Sequence, residues 1–192
     1  MRTSRMITEA LIARCLRQES KAQFELYKTL HPMMMSICSR YERDRQSATA
    51  RMNQGFLKIF QNIAKRRTEV PFTAWASRIM INTVIDDFRR GKDRRVHEVT
   101  NEPMDASTSV EANDYLEQME AEAFAELLMN VPTMSRNVFN LFAIDGYSHA
   151  EISEMLEISE GTSKWHVSHA RSILRKALAG LAETTTIRSA AP

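Results

Sequence analysis

The chain has 192 residues, 43% hydrophobic and 26% charged, with a formal net charge of +2, enough for one large or two small cores. Its two cysteines, Cys15 and Cys38, lack CxxC spacing, which argues against a disulfide scaffold or a zinc knuckle. No apolar run reaches the length of a signal peptide or a membrane span, because Glu9, Arg14 and Arg17 interrupt the first candidate; a cytoplasmic protein without membrane insertion is expected.

From Thr8 to about Tyr41 apolar residues recur at helical spacing: Leu11, Ile12, Cys15 and Leu16, then Phe24, Tyr27 and Leu30. Pro32 is expected to separate two helices, with Met33, Met34, Met35, Ile37, Cys38 and Tyr41 filling core on the second. A polar break from Arg43 to Ser47 leads into a helix carrying Met52, Phe56, Leu57, Ile59, Phe60 and Ile63. Lys65 to Val70 is a basic loop, closed by Pro71 at a position suited to the first turn of a helix.

That next helix, roughly Phe72 to Arg90, has two unlike faces. Met80, Ile81, Val84 and Phe88 make an apolar side, while Trp75, Ile79, Asn82 and Asp86 lie along another, with Arg78 and Arg89 at its edge. Two accounts of the mixed face stay open: amide and carboxylate satisfied inside a bundle, or a surface where bases stack and phosphates meet arginines. Gly91 ends the helix. Arg89, Arg90, Lys92, Arg94 and Arg95 form a basic cluster, followed from Glu98 to Glu126 by nine acidic residues and no Lys or Arg. The near-neutral total thus conceals two strong local fields.

His97 to Ala112 is polar, acidic and without apolar periodicity, and reads as a linker. Helicity resumes near Asn113 with Tyr115, Leu116, Met119, Ala123, Leu127 and Leu128, and again from about Pro132 with Val138, Phe139, Leu141, Phe142 and Ile144. Asp145 to Leu178 then carries the signals of a helix-turn-helix. Gly146 stops one helix, Ser148 with Glu151 makes a capping box, and Ile152, Met155 and Leu156 form a short apolar stripe. A corner at Ile158, Ser159 and Gly161 precedes a longer helix with Ser163, Val167, Ala170, Leu174, Ala177 and Leu178 inward. Trp165, Ser168, His169, Ser172 and Lys176 fall outward, flanked by Lys164, Arg171 and Arg175, a mix suited to base edges and phosphates in a major groove.

No run alternates as a strand, so an all-α protein of two helical domains is expected: residues 1–96, a linker 97–112, a second domain 113–183 and a tail 184–192. Scattered histidines and cysteines without an adjacent base give no catalytic constellation, hence no enzyme and no cofactor.

The stretch WASRIMINTVIDDFRR, Trp75 to Arg90, resembles the W-x-x-R-I-x-x-N-x-x-x-D-x-x-R pattern in region 2 of the extracytoplasmic-function (ECF) group of bacterial sigma-70-family factors. Val131 to Leu178 is similar to their region 4, and with FELYKTLHPMM near the start the resemblance covers about Phe24 to Leu178. It implies a dissociable initiation subunit of bacterial RNA polymerase that meets promoter DNA. Region 2 would dock on the clamp helices and capture a flipped base of the minus 10 strand; region 4 would read the minus 35 duplex. The minus 10 residues implied are Arg66, Arg67, Phe72, Trp75, Arg78, Asn82 and Asp86. Those implied at minus 35 are Lys164, Trp165, Ser168 and His169, with Arg171 and Arg175 on phosphates. The family's D-x-x-Q-E type polymerase-contact motif aligns with Ala50 to Gln54, and places Met52, Asn53, Gln54 and Phe56 at the polymerase. Control by an anti-sigma factor is a further expectation of the family.

Two rivals carry their own expectations. A response-regulator-type transcription factor shares the helix-turn-helix pattern but would bring an α/β receiver. A helical metal sensor would use His166 and His169 as ligands, with His149 the nearest additional candidate.

Overall fold

Thr8 starts the first helix: its hydroxyl accepts the Leu11 amide at 3.2 Å, a cap contributing about 1 kcal/mol. This helix, α1 (Glu9–Leu16), buries Leu11, Ile12 and Cys15. The chain then breaks where no break was expected. Gln18 takes a left-handed φ of 59°, and Leu16 and Phe24, part of the apolar pattern, are 46% and 62% exposed.

The next helix, α2 (Ser20–Tyr41), runs straight through Pro32, contrary to the expected division. Ala22, Leu26, Leu30, Met34, Ile37, Cys38 and Tyr41 form one buried stripe along it. A proline inside a helix costs about 3 kcal/mol; each buried aliphatic side chain on either side contributes about 1.5–3 kcal/mol, so continuity wins. Burial pushes the Cys38 thiol up to about 12, so it stays protonated near neutrality and serves as a small apolar group.

Asp44 caps α3 (Arg45–Asn62), accepting the Ser47 amide at 2.8 Å. A single 3₁₀ turn, Ile63–Lys65, follows. After the loop, α4 (Phe72–Lys92) packs on both α2 and α3. Phe72, Ala76, Met80, Ile81, Val84 and Ile85 are its buried face. Arg51 ties α3 to its neighbours by bonding Glu42 at 3.1 Å and also Asp87 of α4, and it bonds Gln54 of its own helix at 3.2 Å.

The computed structural model describes residues 7–92 and 121–189. The chain divides into two compact units, residues 1–95 and 96–192. The expected linker 97–112 and the helical start near Asn113 lie outside the described residues. Among those described there is no strand, so residues 7–92 do not form the α/β receiver of the rival reading.

In the second unit α5 (Ala121–Met129) precedes α6 (Thr133–Phe139), which widens into a π turn over Asn140–Ile144. Gly146 follows at φ 78°, a conformation natural to glycine. Then come α7 (His149–Leu156) and α8 (Glu160–Ser189); the backbone of α8 thus continues into the stretch read as a tail. Leu127, Leu128, Val131, Phe139, Ala170 and Leu174 make the core, with Phe124, Ile173, Ala177 and Leu178 packed against it.

Gly55 sets how closely α3 approaches α4. A Cβ there would overlap Sδ and Cε of Met80, which is itself fully buried. For Gly55→Ala, overpacking costs about 1–3 kcal/mol and outweighs the ~1 kcal/mol gained in helix propensity. Denaturant unfolding of the full chain should show net destabilisation of about 1 kcal/mol. Unchanged or greater stability would mean that Met80 swings aside without strain.

Candidate nucleic-acid interface

In the first unit the loop between the 3₁₀ turn and α4 and the mixed face of α4 lie side by side in sequence. Arg67 is exposed in the loop. Arg66, expected at the strand, is turned inward: its side chain is only 4% exposed and donates to Glu9 at 2.6 Å. It also donates to the Val70 carbonyl at 2.9 Å and lies 5.6 Å from the Phe72 ring centre. Two of its N–H donors are thus committed within the unit. Phe72 is buried as well and touches Trp75, with ring centres 5.3 Å apart; Trp75 is half-buried.

On α4, Arg78 and Asn82 are exposed. Exposure of Asn82 removes the reading in which it is a buried structural amide. Asp86 is half-buried and accepts from Lys58 Nζ at 3.1 Å; the ammonium offsets the repulsion its carboxylate would exert on a nearby phosphate. Arg67, Arg78, Asn82 and part of Trp75 are therefore the accessible members of the expected set.

Met52 and Phe56 do not belong to a contact surface. They are 1% and 3% exposed, because helical spacing carries them onto the core side of α3. Asn53 is exposed and Gln54 half-buried, the latter accepting from Arg51. The exposed side of α3 is a shallow depression lined by Arg45, Gln46, Thr49, Ala50 and Asn53, with Leu57 57% exposed on the same helix.

The second unit builds its surface from α7 and α8. The capping box is complete: Ser148 Oγ accepts the Glu151 amide at 3.2 Å while the Glu151 carboxylate accepts the Ser148 amide at 2.9 Å. The corner lies at Glu157 to Ser159. Glu157 takes a left-handed φ of 55°, Ser159 Oγ accepts the Thr162 amide at 3.0 Å, and Gly161, expected in the corner, sits inside α8.

Ser163, Val167, Ala170 and Leu174 are buried along α8, as their spacing predicts. Lys164, Arg175 and Lys176 are exposed, while Trp165, Ser168, His169 and Arg171 are half-buried. Trp165 is neither core nor a free outward ring: it stacks on His169 at 4.7 Å and 27°, with His166 edge-on at 4.9 Å. His166 Nδ1 and His169 Nδ1 lie 2.9 and 3.1 Å from the same Ser135 hydroxyl on α6. Among the described residues no group of three His, Cys, Asp or Glu gathers as a metal site. Ser135 was not foreseen, since a contact 31 residues away leaves no trace in local pattern.

A second unforeseen chain fixes α7 to α8. His149 Nδ1 is 2.9 Å from Ser163 Oγ and its ring stacks on Phe142 at 4.3 Å and 14°. The Arg171 guanidinium lies 6.0 Å from the same Phe142 ring, which restricts the freedom of Arg171 to follow a phosphate.

Fold and surface together define an all-helical protein whose second unit presents a helix-turn-helix. Sigma-70 region 2 matches residues 26–95 and sigma-70 region 4 matches residues 121–174. The ECF RNA polymerase sigma factor SigM of Mycobacterium tuberculosis is 26% identical over 165 residues, 85% of this chain and 81% of its own. The ECF RNA polymerase sigma factor SigW of Bacillus subtilis is 25% identical over 194 residues, 90% of this chain and 100% of its own. The co-crystal structure of the sigma factor RpoE with the anti-sigma factor NepR from Bartonella quintana shares the fold. Its TM-score is 0.50 at 16% identity, over 80% of this chain and 94% of that one. The chain belongs to the ECF group of the sigma-70 family.

Burial lowers the His149 pKa below its ordinary value; Lys164 and Arg171 lower it further, against Glu160, which raises it. The unfolded chain therefore binds this proton more readily than the folded one. Its contribution is present in full above the ordinary histidine range, near 6.5, and is lost as pH falls through the lower folded value. Thermal melts of wild type and His149→Gln should differ most at pH 7.5 and converge toward pH 5. A difference that stays constant or grows on acidification contradicts the assignment.

Proposed function

We propose that this chain is a dissociable initiation subunit that binds the RNA polymerase core and directs it to promoters, acting in the cytoplasm and leaving the chemistry to the polymerase. The observation that carries the reading is a region 2 followed by a region 4 in one chain. Region 2 meets the unwound minus 10 strand with Arg67, Arg78, Asn82 and the edge of Trp75. Stacking on an aromatic ring with flanking cations suits single strands, because every base has a π-face. Region 4 lays α8 along the minus 35 major groove, Lys164 and the Trp165–His169 pair toward base edges, Ser168 beside them and Arg175 on a phosphate.

Polymerase contact falls to the exposed side of α3, around Ala50, Asn53 and Leu57, in place of the buried Met52 and Phe56. An anti-sigma partner, as the family expectation has it, is proposed for this chain as well. In vitro transcription with purified polymerase core, followed by mapping of the start sites selected, tests the whole reading; failure of the protein to confer specific initiation would overturn it.

Asn82→Ala should spare minus 35 duplex binding yet reduce promoter opening. Permanganate footprinting of the melted region measures this, and wild-type melting in a folded mutant would remove Asn82 from the strand contact. In the second module, Lys164→Ala should change the ranking of minus 35 variants, costing about 1–3 kcal/mol at particular positions. Arg175→Ala should weaken all variants alike and lower the salt slope by about one ion. Holoenzyme binding to a panel of duplexes at several salt concentrations separates the two; a uniform loss for Lys164→Ala would make it a phosphate contact.

A further inference from the structure

Arg66 joins three pieces of the first unit. Its guanidinium bonds Glu9 in the first turn of α1 at 2.6 Å and the Val70 carbonyl at the far end of its own loop at 2.9 Å. It also lies 5.6 Å from the ring centre of Phe72, the residue that opens α4, and Phe72 in turn contacts Trp75. We propose that Arg66 is a positioning residue that holds loop 66–71 in the shape that receives the unwound strand, with α1 as its anchor through Glu9. This rests on the strand-facing reading of that loop given above.

The burial of the two partners decides the weight of the pair. Glu9 is 72% exposed but the Arg66 side chain only 4%. An ion pair exposed on both sides contributes little. Here one charge has given up its water, so deleting its partner leaves a desolvated guanidinium short of an acceptor. The cation then turns outward or the loop opens. A lysine keeps the charge but not the planar fork that reaches a carboxylate and a carbonyl together.

Positioning and direct contact with DNA predict opposite signs for Glu9. DNA is an anion, so removing a nearby carboxylate raises affinity if electrostatics alone acts, whereas loss of the loop's anchor lowers it. The experiment uses holoenzyme containing full-length Glu9→Ala, Arg66→Lys or Arg66→Ala, and a fluorescent single-stranded oligonucleotide carrying the non-template minus 10 sequence of a promoter mapped for wild type. Amide exchange of residues 66–71 is followed in the same variants. Glu9→Ala and Arg66→Lys are each expected to weaken strand binding about tenfold or more, the scale of one charge-assisted hydrogen bond. Salt slope should be unchanged and exchange in the loop faster. Tighter binding by Glu9→Ala, wild-type binding by Arg66→Lys, or a slope reduced by about 0.7 in Arg66→Ala would overturn the proposal. Arg67→Ala and Asn82→Ala serve as controls on the reading itself: if both bind the strand as wild type does, the strand-facing assignment fails. If they bind poorly while Glu9→Ala and Arg66→Lys do not, only the positioning role fails.

Discussion

Which face of α4 the first unit exposes depends on one close approach, that of α3 to α4 at Gly55 over Met80. With no side chain at Gly55, α4 settles against α3 deeply enough to bury Ala76, Met80 and Val84. The buried side of a helix determines its exposed side, since only about 3.6 residues make a turn. Arg78 and Asn82 are outward because Met80 and Ile81 are inward. The bonds of Arg51 to Asp87 and of Lys58 to Asp86 then join α3 to α4 further along. The exposed face is thus the complement of a packing decision made elsewhere on the same helix.

The second unit solves the same problem with polar groups. Three serine–histidine contacts, Ser163 with His149 and Ser135 with both His166 and His169, hold α8 to α7 and α6. Hydrogen bonds are directional where apolar packing is not, so they fix the rotation of a helix about its own axis as well as its distance from its neighbours. Rotation about its own axis decides which side chains of α8 are exposed.

Much of this was legible in the sequence, and the reasons are local. The stripe Ser163, Val167, Ala170 and Leu174, the Ser148 and Glu151 capping box, and the two-faced helix from Phe72 all follow from spacing within a few turns. The departures arise where tertiary packing overrode local preference or where the decisive partner was distant. Pro32 stays inside α2 because burial on both sides outweighs a lost hydrogen bond. Gln18 ends α1 in a conformation its composition does not advertise. Arg66 is implied at the strand by the resemblance, and local pattern gives no sign of its inward turn because its acceptor Glu9 lies 57 positions earlier. Met52 and Phe56 fall near the family's contact motif in sequence, but helical spacing turns both to the core side of α3.

The hydroxyl of Ser135 has a consequence in terms of proton counting. It stands within hydrogen-bond distance of two imidazole Nδ1 atoms, yet a serine carries a single hydroxyl proton and can donate to only one of them. For both contacts to be hydrogen bonds, at least one imidazole must keep a proton on Nδ1. If that ring is neutral, its Nε2 is then a bare acceptor; if it is charged, both nitrogens donate. The donor and acceptor roles of the His166 and His169 nitrogens are accordingly constrained by a residue on a different helix.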